Sequence, residues 1–478
     1  MNFKPLFVLG IIASLSLSVE SKQQTANQSK PNVLIVFVDD LGAMDIGSYG
    51  ASFHETPNID AFAKSAVRFS DAYSASPVCS PSRAALLTGK APERVKITDW
   101  IPGAKLAENA PLVTPKILNE LPLTETTLAE TFKTNGYKTF FAGKWHLGDQ
   151  GFFPDQHGFD VNIGGYHKGS PRSYYSPYKN PKLENGPDGE YLTDRLTNET
   201  LDFMKEQGDT PFFAMLSFYT VHTPLQAAKP YLSYYQQKAE ALPALSVTTE
   251  KERNDTKTRL RQDNAKYASM VHAMDVNIGR LLKGMKDTGL DQNTIIVFTS
   301  DNGALSTLKR PGPASNKPFR AGKGWIYEGG IRVPMIIHAP GVAQQGTVSA
   351  EPVITTDIAP TLLELTGINK HQMTTLDGVS LVPVLTPKGK IGRKAVRVYY
   401  PHYHGSKSKP SYMVREGNWK LIYFYESGDT ELYNLADDIG EQVNLANVNP
   451  KMAARMKSEM QQWLNSVEAE QPKLKNKK

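Results

Sequence analysis

Val33-Leu34-Ile35-Val36-Phe37-Val38 is an unbroken run of apolar residues, most of them β-branched or aromatic. A strand with one wet face alternates apolar and polar residues. A run without alternation is buried on both faces, as in a parallel sheet covered by helices. This one ends in Asp39-Asp40-Leu41-Gly42, and a second, over 294–299, ends in Ser300-Asp301-Asn302-Gly303. In open α/β sheets, ligands gather beyond the carboxyl ends of the strands. One site built from both acidic turns is therefore expected.

Further strands are predicted at 138–142, 212–218 and 333–338, and helices at 58–65, 81–87, 126–134, 191–205 and 267–288. The last carries Met270, Val271, Met274, Ile278 and Leu281 at helical spacing. Strand and helix signals alternate, which gives an α/β class with a mostly parallel central sheet flanked by helices. The segment 250–264, dense in both charges, reads as a solvated helix face or mobile surface. Near 385 the pattern changes at Pro383, Pro387, Gly389 and Gly392. Short strands follow at 396–400, 411–415, 419–425 and 431–433, then a helix over 451–467. The expected division is a catalytic domain over 31–385 and a smaller antiparallel-sheet subdomain with a closing helix and basic tail over 386–478.

The 478 residues include one cysteine, which excludes an internal disulfide and a CxxC metal site. The net charge is +6, part of it in Lys473, Lys475, Lys477 and Lys478, a tail and no nucleic-acid stripe. Lys4 followed by the apolar run Leu6 to Leu17 reads as an export signal over 1–21, with a polar linker over 22–30. The cleavage site falls after Ser18 or Ser21, and the other reading of the run is a hydrophobic first strand or helix. No cysteine follows the run to carry a lipid anchor, so a periplasmic or secreted protein without a stable membrane anchor is expected.

Adjacent carboxylates such as Asp39-Asp40 repel, and are tolerated when both face water or when a cation sits between them. Together with Asp301 and Asn302 they form an oxygen set suited to Ca²⁺ or Mg²⁺ and poor for zinc. Cys79-Ser80-Pro81-Ser82-Arg83 places Ser80 as a helix N-cap, Pro81 as first helical residue and Cys79 just before a helix start, where an anion is favoured. Lys144 and His146, two apart after a strand, face the same way if extended. His222, Lys323 and Arg332 follow other strand ends. Alone each would be an ordinary loop residue. Together, cations, titratable histidines and a hard divalent ion suit a charged oxyanion ester.

The chain resembles the type I sulfatases, the formylglycine-dependent arylsulfatases of the alkaline phosphatase superfamily. The resemblance runs over about 30–465. Cys79-Ser80-Pro81-Ser82-Arg83 with Leu87-Thr88-Gly89 matches the modification motif, and Gly143-Lys144-Trp145-His146-Leu147-Gly148 the second signature. The resemblance implies an alkaline-phosphatase-like fold and oxidation of Cys79 to formylglycine before folding, by a formylglycine-generating or anaerobic sulfatase-maturing enzyme. It also implies Asp39, Asp40, Asp301, Asn302 and the modified Cys79 as ligands of one Ca²⁺, with Mg²⁺ as the weaker alternative. Arg83 would hold the hydrated aldehyde, Lys144, Lys323 and His222 the sulfate, His146 would act as base and His222 as general acid. His54, Trp100, His167, Arg172, His402 and His404, in predicted loops, are candidates to read the organic part, taken to be a sulfated carbohydrate. Two other readings stand beside this one: a formylglycine-type phosphonate or phosphate monoester hydrolase, and a non-catalytic protein that binds sulfated glycans.

Overall fold

A computed structural model describes residue 1 and residues 30–104, 109–386 and 389–475. Apart from residue 1, the stretch read as an export signal lies outside the described residues, as do nearly all of the stretch read as a linker, Pro387, Lys388 and the end of the basic tail. The central sheet has eight strands. In spatial order they are Thr347–Ser349, Val67–Phe69, Met335–His338, Thr294–Ser300, Asn32–Val38, Phe212–Ser217, Lys138–Gly143 and Val161–Ile163. Asn32–Val38 runs parallel to both neighbours, and the sheet stays parallel out to Val161–Ile163. The expected strand near 333–338 is present, but antiparallel to both of its neighbours.

Every residue of Asn32–Val38 is buried. Leu34, Val36 and Val38 enter one hydrophobic core, Val33, Ile35 and Phe37 the other. A strand packed on both faces has no place for a polar residue, which is why the run does not alternate. The expected helices are observed as Pro57–Lys64, Cys79–Thr88, Leu128–Thr134, Leu192–Glu206 and Ala265–Asp287. Thr127 and Glu130 close a reciprocal capping box at the third of these. Among the described residues no helix is long and apolar enough to cross a membrane.

Two expectations are corrected. The helix of the cysteine motif begins at Cys79, so Ser80 and Pro81 lie inside its first turn and Ser80 is no N-cap. The Ser80 hydroxyl is taken by tertiary bonds instead, donating to the His146 carbonyl at 2.9 Å and accepting from the Ile101 N–H at 3.1 Å. The charged segment 250–264 is no solvated helix: Thr249–Glu252 and Thr256–Arg259 form a hairpin that pairs with Thr307–Leu308. Glu252 is buried there under a two-pronged bond from Arg320, 2.7 and 2.8 Å.

The C-terminal sheet, Val396–Tyr400, Ser411–Glu416, Trp419–Phe424 and Thr430–Asn434, is an antiparallel meander. Pro450–Ser466 packs on it through Ala453, Met456, Met460 and Leu464. Its Lys420, fully buried, reaches Glu328 at 2.8 Å and Glu441 at 2.7 Å, joining the meander to the short helix Glu328–Ile331.

Candidate active site

The carboxyl ends of four neighbouring central strands converge. Asp39 and Asp40 leave one, Asp301 and Asn302 the next, Lys144 a third, and Ser217 with His222 the fourth. Cys79 enters from the side as first residue of its helix. Asp40 and His146 both sit at positive φ, +59°, turning their side chains back toward this point. The structure thus brings together Asp39, Asp40, Cys79, Arg83, Lys144, His222, Asp301, Asn302 and Lys323, as the sequence suggested.

Charge balance governs the geometry. Lys144 Nζ sits 2.8 Å from both oxygens of Asp39, and Lys323 Nζ 2.6 Å from Asp40 and 3.2 Å from Cys79 Sγ. Arg83 grips Asp301 through Nε at 3.0 Å and Nη2 at 2.8 Å, while its Nη1 holds the Lys144 carbonyl and Ser217 Oγ at 2.7 and 2.8 Å. The other Asp301 oxygen accepts the Asp40 N–H at 3.1 Å. Burial, with Asp301 and Asp40 alongside, pushes Asp39 up to about 8 against the pull of Lys144. Burial also works against ionising Asp40, but Lys323 overcomes it and holds that carboxyl well below the usual range. Burial pushes the Cys79 thiol up to about 12, so almost no thiolate, the form that attacks or binds metal, exists near neutral pH.

Potential ligand atoms of Asp39, Asp40, Cys79 and His222 all lie within 4.8 Å of one another. Asn302 donates its amide N–H to Asp40 at 2.8 Å and keeps Oδ1 buried with no hydrogen-bond partner. Crowded carboxylates plus an orphaned amide oxygen fit a hard divalent cation. Asp301 joins that set less directly, since both its oxygens are already engaged.

The two histidines differ in tautomer. His146 donates from Nε2 to the Ile101 carbonyl at 2.7 Å, leaving Nδ1 without a partner. Burial, then the Lys144 charge, keeps this ring neutral. His222 turns Nδ1 to the Thr223 carbonyl at 2.6 Å and points Nε2 at Asp40, 3.7 Å away. Burial and then Lys323 bring it down to about 3, so it too is neutral.

Cys79, His146, His222 and Lys323 line a cleft of about 610 Å³. Of the candidates for reading the organic group, Trp100, His167 and His404 stand on its walls. Three others do not. His54 is buried 3.2 Å from Asp45, His402 is buried against the Thr98 hydroxyl at 2.8 Å, and Arg172 is not among the lining residues. Residues missed in the sequence also line it, among them Asn119, Glu120, Asp149 and Lys168. Their loops carry no motif, so nothing in one sequence marks them. Ser217 and Ile101 went unmarked as well, one a strand residue, the other acting through its backbone.

Comparison with known proteins follows this geometry. The family model described as Sulfatase matches residues 31–368, and that described as N-sulphoglucosamine sulphohydrolase, C-terminal, matches 321–470. Human N-acetylgalactosamine-6-sulfatase is 34% identical over 74% of this chain and 66% of its own length. Human arylsulfatase A is 30% identical over 87% of this chain and 83% of its own. The crystal structure of Ps i-CgsB in complex with k-i-k-neocarrahexaose superposes with a TM-score of 0.74 at 29% identity, covering 91% of this chain and 92% of that one. The acid pair, the cysteine-led helix and the two lysines thus stand in a fold shared with sulfatases: the chain belongs to the type I sulfatase family and is a sulfuric ester hydrolase.

Proposed function

We propose that this enzyme is exported and removes O-sulfate groups from a sulfated poly- or oligosaccharide, with residue 79 acting as formylglycine beside a bound Ca²⁺. The observation that carries the reading is the place of Cys79, 2% exposed on the cleft floor, 3.6 Å from Asp39, 4.0 Å from Asp40 and 3.2 Å from Lys323. Burial there disfavours the thiolate, the form of the thiol that attacks. A hydrated aldehyde would offer one hydroxyl to attack sulfur and a second whose deprotonation releases sulfate, which a serine lacks. Asp39, Asp40 and Asn302 Oδ1 would hold the cation, with Asp301 behind them, and the cation would supply positive charge against the charge that develops on oxygen.

The chain's own groups have defined tasks in this reading. His146, with Nε2–H committed to Ile101, accepts a proton at Nδ1. Lys144 and Lys323, which here hold Asp39 and Asp40, would be the cations available to sulfate oxygens, while Asp39 and Asp40 would hold the metal ion. Arg83 fixes Asp301, Lys144 and Ser217 relative to one another. His222 faces the cleft with Nε2 and acts as acid toward the leaving oxygen once protonated there. The carbohydrate substrate is supported by the relative named for N-acetylgalactosamine-6-sulfate chemistry and by the oligosaccharide in the superposed crystal structure. Export is supported by the apolar run Leu6 to Leu17. The catalytic part is taken to end near 385.

The test is the mass of the residue-79 peptide from protein made in its natural host, followed by turnover of aryl sulfate, aryl phosphate and sulfated oligosaccharides. Oxidation of the thiol to the aldehyde lowers the mass by about 18 Da. Preferential sulfate turnover by the shifted form supports the reading. An unmodified thiol in active protein overturns the nucleophile, and faster phosphate turnover overturns the substrate.

A further inference from the structure

Gly169 is not required to be glycine by a left-handed φ. Its φ lies outside the left-handed region that glycines elsewhere in the chain occupy. What a side chain there would meet is the imidazole of His146. An ideal Cβ would lie 2.3 Å from Cε1, 2.6 Å from Nε2 and 2.7 Å from Nδ1. The ring cannot yield freely, because it is 6% exposed and tied through Nε2 to the Ile101 carbonyl at 2.7 Å. Nor can the loop retreat freely. The Tyr166 carbonyl accepts the His146 N–H at 3.4 Å. Gly164 is bonded at both backbone groups, to the Lys182 carbonyl at 2.7 Å and from the Asn180 amide at 2.9 Å. Tyr174 donates to the carbonyls of Tyr219 and His222 at 2.6 and 2.8 Å.

We infer that Gly169 is a positioning residue for His146: its bare backbone forms the backstop that sets the ring against Ile101 and so fixes where the unpartnered Nδ1 sits. The same loop carries His167, Lys168 and Ser170 on the cleft wall. The segment that meets the organic part of the substrate is therefore the one that seats the base. This inference rests on the proposed role of His146.

Gly169→Ala tests it, in protein whose residue-79 peptide has been checked by mass. The expected result is a fall in kcat of about 100-fold, the scale of a 1 Å misplacement, with KM changed less than about threefold. It comes with a shift of the His146 imidazole ¹⁵N signals, assigned by their loss in His146→Ala. Unchanged signals overturn the inference whatever happens to kcat, and an unchanged kcat overturns it too. If Gly169→Ala folds poorly, thermal unfolding of Gly169→Ala/His146→Ala decides. Recovery to the melting temperature of His146→Ala alone supports a clash with the ring, and no recovery overturns it. Failure of the sulfatase mechanism shows separately, as a parent enzyme with the mass shift and no sulfate release, while the imidazole and unfolding results still stand.

Discussion

Tyr400 donates its hydroxyl to Asp99 Oδ1 at 2.7 Å, tying the C-terminal meander to the loop whose Ile101 carbonyl seats His146. Asp99 also caps that loop, accepting from the N–H groups of Trp100 at 2.9 Å and Ala104 at 3.1 Å. Burial pushes its carboxyl up to about 6. The meander thus reaches His146 through one hydroxyl and one loop.

Tyr400→Phe is expected to lower kcat by about tenfold, on the order of one lost buried hydrogen bond, with sulfate inhibition unchanged. Steady-state kinetics with sulfate as competing product check this. An equal loss in sulfate affinity would place Tyr400 on the sulfate and not on the loop.

Glu93 is buried with Oε2 unpartnered, and burial pushes it up to about 8. Its folded value lies above its unfolded one. The stability it contributes is therefore complete below the unfolded value near 4.5 and lost as pH rises toward 8. Glu93→Gln should flatten the stability profile between those limits, by up to roughly 4 kcal/mol at the alkaline end. Urea unfolding at stepped pH measures it.

Calcium should raise the melting temperature, because a ligand held by the folded site alone stabilises by about 2.7 kcal/mol at a hundred times its Kd. Asn302→Ala, which removes the orphaned Oδ1, should reduce the shift while leaving the calcium-free melting temperature within a few degrees. A full shift in the variant would move the cation elsewhere.

Lys420→Met leaves Glu328 and Glu441 facing each other in the interior. Removing one partner of a buried charge cluster costs about 3–5 kcal/mol, and this loss should appear in urea unfolding with KM unchanged below the transition.

The strand ends and the acid pair were legible because unbroken burial and the turn that follows it are both local in sequence. Cys79, Arg83, Lys144 and His146 were legible through two contiguous motifs. The hairpin of Thr249–Arg259 was not, because its charges are neutralised by residues far along the chain: Glu252 by Arg320, Glu250 by Lys317, Arg253 by Glu431. A window on the sequence sees only the local pairs, Lys251 with Asp255 and Arg259 with Asp263, and not these distant partners. Asp99 with Tyr400, and Gly169 with His146, are likewise contacts between segments with no shared pattern. The helix start at Cys79 was misplaced because the Ser80 hydroxyl serves His146 and Ile101 and not its own backbone.

The helix Cys79–Thr88 is buried at every residue. An enzyme that must grasp Cys79-Ser80-Pro81-Ser82-Arg83 as an extended peptide has no purchase on it once the chain has folded. With residue 79 as the formylglycine proposed above, oxidation of Cys79 and closure of the core would be two processes competing on the same nascent chain, because the folded helix leaves the motif buried. The active fraction of any preparation would be fixed at synthesis by the ratio of two rates. Slower folding, through lower temperature or a weakened core, would raise that fraction in a host where the oxidising enzyme is scarce.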